Sequence, residues 1–431
     1  MTEAFSISIF LFALFFLLGT SVWVGASLLL TAMLGMYLFT SAPIGDALAL
    51  TIWGSQSSWT LTALPLFIWM GEILYRTNLS ETLFRGIAPF MRRMPGGLLH
   101  VNVGASAIFA AISGSSAATV ATVGKMAIPE LRKRGYPEKQ IVGSLAGAGT
   151  LGLLIPPSIS MIIYGVTVNE SIAKLFMAAM IPGISLALLF MGYIALWGLR
   201  HGGAMQRDPS TDWSQKLHAF LGLLPVVALI VAVIGSIYGG IATATEAAAL
   251  GVLGSFILAL FQKTLSRETF IDSVLGAVRT TTMVMFILMG SGFLSLAMGF
   301  TGIPKALAEV ISVWDPSPMM LILTLTVFYI LLGCFLDGIS SIVLTMAVIE
   351  PMVRAAGFDM LWFGVYLMIV VEMAQITPPI GFNLFVLQGM TGHDIGVIAR
   401  AAIPSFLVMC LFVVLLVIFP DLALWLPSVL K

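Results

Sequence analysis

Five backbone-breaking residues recur in this chain at one fixed offset. Pro129, Gly135, Pro156, Pro157 and Pro182 reappear 222 residues later as Pro351, Gly357, Pro378, Pro379 and Pro404. The words around them correspond too: RKRGY with VRAAGF, IPPS with TPPI, AAMIP with RAAIP. Proline removes a backbone donor and disfavours helix at the residue before it. The register therefore dictates where helices must break in two copies of one unit. A looser match, FIWMGE (67–72) with FILMGS (286–291), places the start of each copy further upstream.

Those breaks fall in apolar surroundings. Of 431 residues, 59% are hydrophobic and 9% charged, too few charges for a water-facing surface. A crossing takes roughly 20 apolar residues, which leaves room for about ten. The apolar runs are continuous and do not alternate, so the expected fold is an all-α polytopic membrane protein and not a β-barrel. Residues 1–30 lack a basic leader and a cleavage site and are expected to form the first crossing. The longest polar stretch is RHGGAMQRDPSTDWSQK, so no soluble domain is expected. Lys and Arg balance Asp and Glu, 20 against 20, which argues against a nucleic-acid partner. Cys334 and Cys410 lie in apolar segments and imply no disulfide framework. His100, His201, His218 and His393 are scattered, so no zinc site is expected. No nucleotide-binding loop is present, which leaves an ion gradient or a partner protein as the energy source.

Basic residues mark the cytoplasmic ends of crossings. Four clusters, at 76–93, 131–139, 200–216 and 263–279, hold 14 of the 20 Lys and Arg residues. The first two flank AAISGSSAATVATVGK (110–125), whose Ser113-Gly114-Ser115-Ser116 turn sits between two short apolar arms. A segment that leaves and returns to one side is a re-entrant hairpin, here spanning about 98–130 and opening to the cytoplasm. Non-helical backbone at that depth is tolerated only when buried in protein or lining a wet cavity. A second hairpin, about 318–352, turns at LDGISS; its flanks carry few basic residues, with Glu309 and Asp315 before it and Glu350, Arg354 and Asp359 around its end, so it is expected to open outward.

Between equivalent points lie five crossings: 138–168, broken at Pro156-Pro157, then 171–199, 217–237, 242–261 and 280–299, with 265–278 amphipathic and interfacial. An odd number turns the second copy upside down. The chain thus divides into N-terminal scaffold helices and a first arm (1–95), repeat 1 (96–200), linking scaffold helices and a second arm (201–280), and repeat 2 (281–431) with its broken helix at 361–389. Inverted repeats with facing broken helices are the architecture of secondary transporters, with the site near the midplane.

Bare carbonyls at half-helix ends suit Na⁺, and bare N–H groups at half-helix starts suit an anionic substrate group. One such set is Ser113, Ser115, Ser116, Gly152, Ile155 and Pro157. Its counterpart is Asp337, Gly338, Ser340, Ser341, Thr377 and Pro379. Asp337 is the foremost candidate for a functional intramembrane carboxylate; Glu246, Glu372 and Glu72 follow. Lys125 is expected to snorkel or pair with a carboxylate, and contact with an anionic substrate stays open.

SGSSAATVATVGKMAIPELRKRGYPE, LGLLIPPSI, GGIATATEAAA, CFLDGISSIVLTMAVIEPM and EMAQITPPIGFNLFVLQG, in that order, resemble the large membrane subunit of tripartite ATP-independent periplasmic (TRAP) transporters over essentially the whole chain. The resemblance implies an elevator-type, Na⁺-driven importer of small organic acids in the bacterial inner membrane. It implies two partners, a soluble periplasmic binding protein and a small four-helix membrane subunit on a separate chain, and no cofactor beyond Na⁺. By resemblance, Na⁺ ligands map onto Ser113, Ser116, Gly152, Ile155 and Pro157, and onto Gly338, Ser341, Thr377 and Pro379. The substrate carboxylate is expected between the tips, at Ser115, Asp337 and Ser340. Some members carry an acidic residue just after the first tip's serines; this chain has Ala117-Ala118-Thr119 there. Two other readings compete: a stand-alone Na⁺/anion symporter, and a membrane enzyme using Asp337 with Glu372 as acid and base.

Overall fold

The computed structural model describes residues 2–77, 79–201, 213–302 and 317–430. Glu309, Asp315 and residues 202–212 of the polar stretch lie outside the described residues. Three helices lead in: α1 (Thr2–Gly19), α2 (Val24–Phe39) and α3 (Ile44–Gln56). The expected single crossing over residues 1–30 is two helices instead. Thr20 turns its hydroxyl back onto the carbonyls of Phe16 and Leu17, and Ser21 adopts φ +63°, so α1 ends there.

After α4 (Ala63–Tyr75) and α5 (Leu79–Met91) comes the first hairpin, α6 (Leu99–Ser113) and α7 (Ser116–Lys133). The broken span follows as α8 (Glu138–Gly149), α9 (Leu151–Leu154) and α10 (Ile159–Thr167), bent by 42° at the proline pair. Long helices α11 (Ile172–His201), α12 (Trp213–Tyr238), α13 (Ala244–Phe261) and α14 (Arg267–Thr301) lead to the second copy. That copy has a hairpin of α15 (Pro318–Gly333) and α16 (Gly338–Ala355), a broken span of α17 (Met360–Gln375) and α18 (Phe382–Thr391), and then α19 (Ile395–Ile418) and α20 (Asp421–Val429). Both Pro156-Pro157 and Pro378-Pro379 are cis. Among the described residues, six helices are long and apolar enough to cross a membrane, or seven if the bent pair counts as one span.

The segments expected as an interfacial helix (265–278) and a separate crossing (280–299) are one helix of 35 residues. No proline interrupts it, and Gly276 serves close packing: a Cβ there would lie 2.5 Å from the Glu72 carboxylate. At 1.5 Å per residue it runs about 52 Å, well past the ~30 Å hydrocarbon layer.

The repeat is visible in helix caps as well as in prolines. Helix α7 starts after Ser115 and α16 after Asp337, again 222 residues apart, and each cap side chain accepts amide hydrogens of its own first turn. Side-chain contacts give the relative orientation. Tyr164 near the end of α10 donates to the carbonyl of Met360 at the start of α17 (2.8 Å). His393 just after α18 meets Glu138 at the start of α8 (3.1 Å). The two broken spans are therefore antiparallel.

Equivalent arginines mark opposite ends: Arg132 pairs with Glu138, while Arg354 donates to Val168 O (3.0 Å), past the far end of the same span. Helices upstream of each copy also reach a hairpin. Gly71 of α4 lets that helix approach Ile112 O of the first hairpin, and Ser291 of α14 donates to Val343 O of the second.

Single cysteines placed within 131–136 and within 354–359 should label with an impermeant reagent from opposite membrane faces. Labelling of both from one face would contradict the inverted arrangement.

Candidate functional site

The first tip is a two-residue turn, Gly114-Ser115. Gly114 takes φ +56°, a conformation open to glycine at little steric cost, and a Cβ there would lie 3.0 Å from Pro157 O and Ile159 N. Ser115, extended at φ −139°, caps α7 by accepting from Ala118 N–H. Ser113 Oγ meets Thr119 Oγ1 at 3.1 Å, and Thr119 donates to Ser115 O at 2.7 Å, so the turn is braced from within. Gly152 brings α9 against it: a Cβ there would lie 2.6 Å from the backbone of Ser115 and Ser116. Ser113, Ser115, Ser116, Gly152 and Pro157 thus form one cluster. Ile155 lies in the same break in extended conformation (φ −82°, ψ 121°), its side chain against Gly183 of α11. Residues 151–160 are all buried.

The second tip is built differently. Asp337 Oδ2 accepts from Ile339 N–H (3.1 Å) and Ser340 N–H (3.3 Å), so the foremost candidate carboxylate serves as a helix cap. Gly338 seats the tip against Leu153 of α9 and Val371 of α17. Gln375 ties the turn to the second break by donating to Leu336 O (3.2 Å), and Cys334 Sγ reaches Pro378 O (3.4 Å). Ser340 is buried and Ser341 fully so, with Ser341 Oγ lacking any partner among the described residues. Thr377 donates to Met373 O (2.7 Å). The two breaks are not alike in burial. Pro378, Pro379 and Ile380 are exposed, whereas residues 151–160 around the first break, and Ser340 and Ser341 of the second tip, are buried.

Both tips meet over α9, with Gly152 under the first and Leu153 beside the second. This convergence puts hydroxyl and peptide oxygens, a donor set fit for a hard cation, next to helix N-termini fit for an anion.

The other charged candidates sit elsewhere. Glu246, expected within the membrane, forms a capping box with Thr243 at the exposed start of α13. Glu72 pairs with Arg76. Lys125 is exposed and makes no ion pair among the described residues. Cys334 and Cys410 are free thiols. Glu372 is buried completely, facing Ser116 and Asn383. Asn383 and Gln375 were not among the sequence candidates. Their signal was present, as lone amides in otherwise apolar runs on either side of the double proline.

A helical membrane protein with two inverted, broken-helix repeats whose hairpin tips converge belongs to the class of secondary transporters. Two solved transporters share this fold. YdaH of Alcanivorax borkumensis superposes with TM-score 0.57 at 13% identity, covering 86% of this chain and 87% of its own. MtrF of Neisseria gonorrhoeae gives 0.51 at 12% identity, covering 91% and 92%.

The sequence profile described as "Tripartite ATP-independent periplasmic transporter, DctM component" matches residues 11–422, and the chain belongs to this family. The C4-dicarboxylate TRAP transporter large permease protein DctM of Pseudomonas aeruginosa is 33% identical over 405 residues, 93% of this chain and 94% of its own. The sialic acid TRAP transporter large permease protein SiaM of Vibrio cholerae is 29% identical, over 94% of each. The isethionate permease protein DctMQ of Oleidesulfovibrio alaskensis is 31% identical, over 92% of this chain and 62% of its own length. The chain is accordingly a multi-pass transport protein and not an enzyme.

Gly152→Ala should lower the unfolding temperature in detergent, because its Cβ meets backbone that cannot swing away; overpacking of this kind costs about 1–3 kcal/mol. Gly192→Ala, with no neighbour within 4 Å, should leave it unchanged or raise it. Equal behaviour of the two would contradict the seating of the first tip on α9.

Proposed function

We propose that this chain is the large membrane subunit of a Na⁺-driven, binding-protein-dependent importer of a small carboxylate across the bacterial inner membrane. The observation that carries this reading is the meeting of the two tips over α9. It supports a cargo site flanked by two cation sites, related by the repeat. The first cation site would use Ser113, Ser116, Gly152, Ile155 and Pro157. The second would use Gly338, Ser341, Thr377 and Pro379, and the unpartnered, fully buried hydroxyl of Ser341 favours an oxygen-seeking ligand there.

The cargo carboxylate would lie between Ser115 and Ser340, within reach of the first amides of α7 and of the Ser340 hydroxyl. Asp337 would then act by shaping the second tip, and its charge would hold the second cation near that tip. The dicarboxylate and sialic acid relatives support a small organic acid as cargo, and the tripartite family supports two partners. These are a small four-helix membrane subunit and a soluble binding protein that delivers the acid. The hairpins and broken spans brace one another and would move as one body against the remaining helices, in the manner of an elevator.

Purified chain, small subunit and binding protein reconstituted in liposomes should take up the acid only when Na⁺ is imposed outside and all three proteins are present. Uptake by this chain alone would favour the stand-alone symporter. Asp337→Asn keeps the cap while removing the charge. It should leave the protein extractable and lower uptake by about tenfold or more, the scale of one lost charge-assisted contact. Uptake near the wild-type rate would remove Asp337 from the transport site.

A further inference from the structure

Glu372 lies in the last turn of α17, with no basic side chain against it among the described residues. Its carboxyl group faces Ser116, the first residue of α7, and Asn383, the second residue of α18. Neither carboxyl oxygen, nor either amide atom of Asn383, has a hydrogen-bond partner among the described residues. Isolating such groups costs about 1–3 kcal/mol each unless they serve one another. Both neighbours stand at helix N-termini, whose partial positive charge suits carboxyl oxygens. Ser116 belongs to repeat 1, while Glu372 and Asn383 belong to repeat 2. The repeat-equivalent position in the first copy is Thr150, whose hydroxyl donates to Gly147 O within its own helix (2.6 Å). The tie between repeats therefore exists on one side only.

We propose that Glu372 is a positioning residue that accepts from Ser116 Oγ–H and Asn383 Nδ2–H. It thereby turns the lone pairs of Ser116 toward the cation of the first tip and makes that cation's binding felt at the second break. This rests on the Na⁺ reading of the tips. Because α18 begins the half-span after the second proline pair, a shift of Asn383 moves the exposed peptide groups there. The two cation sites are thus coupled through one carboxylate. Replacing it by glutamine fixes an NH₂ donor at one of the two positions from which the carboxyl group can accept.

The test compares wild-type and Glu372→Gln protein in the complete reconstituted complex, following initial uptake against Na⁺ concentration. The purified proteins are also melted in NaCl and in choline chloride. For Glu372→Gln the Na⁺ concentration at half-maximal uptake should rise about tenfold, within the usual range of site coupling. That rise should exceed the fall in maximal rate, the Hill coefficient for Na⁺ should drop, and the Na⁺-dependent rise in melting temperature should shrink.

An unchanged Na⁺ midpoint and Hill coefficient would overturn the proposal. So would a lower maximal rate with the Na⁺ dependence intact, the signature of a merely structural role. Should Glu372→Gln fail to give a folded peak, Asn383→Ser carries the same two measurements with the same expected direction. A wild-type protein that transports without any Na⁺ dependence would remove the parent reading instead, a result distinct from every Glu372→Gln outcome above.

Discussion

Everything in this structure follows from the need to cover bare peptide groups inside an apolar layer. Each double proline strips two donors from a helix and leaves carbonyls with no partner at a depth where water is scarce. A helical tip inserted against the break is the solution adopted in both copies. Gly114 lets the first tip touch Pro157 O, and Gly152 lets α9 touch the tip in return. In the second copy Gln375 and Cys334 do comparable work with side chains, reaching Leu336 O and Pro378 O. The same uncovered groups that endanger the fold are what a cation and a carboxylate require.

Keeping two inverted copies in register takes contacts at both ends as well as in the middle. At one end His393 and Arg132 converge on Glu138; at the other Arg354 reaches Val168 O and Glu350. Each bond is modest, since partly exposed ion pairs contribute about 0–1 kcal/mol. Their value lies in fixing orientation. Between them run Tyr164 to Met360 and Ser405 to Gly143 O, so the broken spans are pinned along their length. A unit braced in this way would move as one piece, as the proposed elevator-type cycle requires.

The architecture was legible because prolines and glycines act locally: a Pro-Pro pair breaks a helix wherever it stands, and the 222-residue register carried the rest. The two helix breaks and the antiparallel course of the broken spans both trace to it. What stayed hidden depends on tertiary neighbours. Glu246 looked like an intramembrane carboxylate by its apolar context, yet the Thr243 three residues earlier makes it half of a capping box. The N-terminal helices divide at Thr20-Ser21, a weak signal beside a proline. The continuity of α14 rests on the absence of a breaker, which composition alone disguised as two segments. Asn383 and Gln375 carried a visible polar signal, but the groups near them are far away in the chain: Leu336 O lies 39 residues before Gln375 in the same copy, and Ser116 lies 267 residues before Asn383 in the other.

The most direct measurement is a set of spin-label distances in membranes. Labels at Glu138 and His393, and at Val168 and Arg354, should give short distances, while 138 with 354 and 168 with 393 should be separated by roughly the ~30 Å of the hydrocarbon layer. The reverse pattern, with 138 close to 354 and 168 close to 393, would mean that the broken spans run parallel. In that case the two tips could not converge over α9.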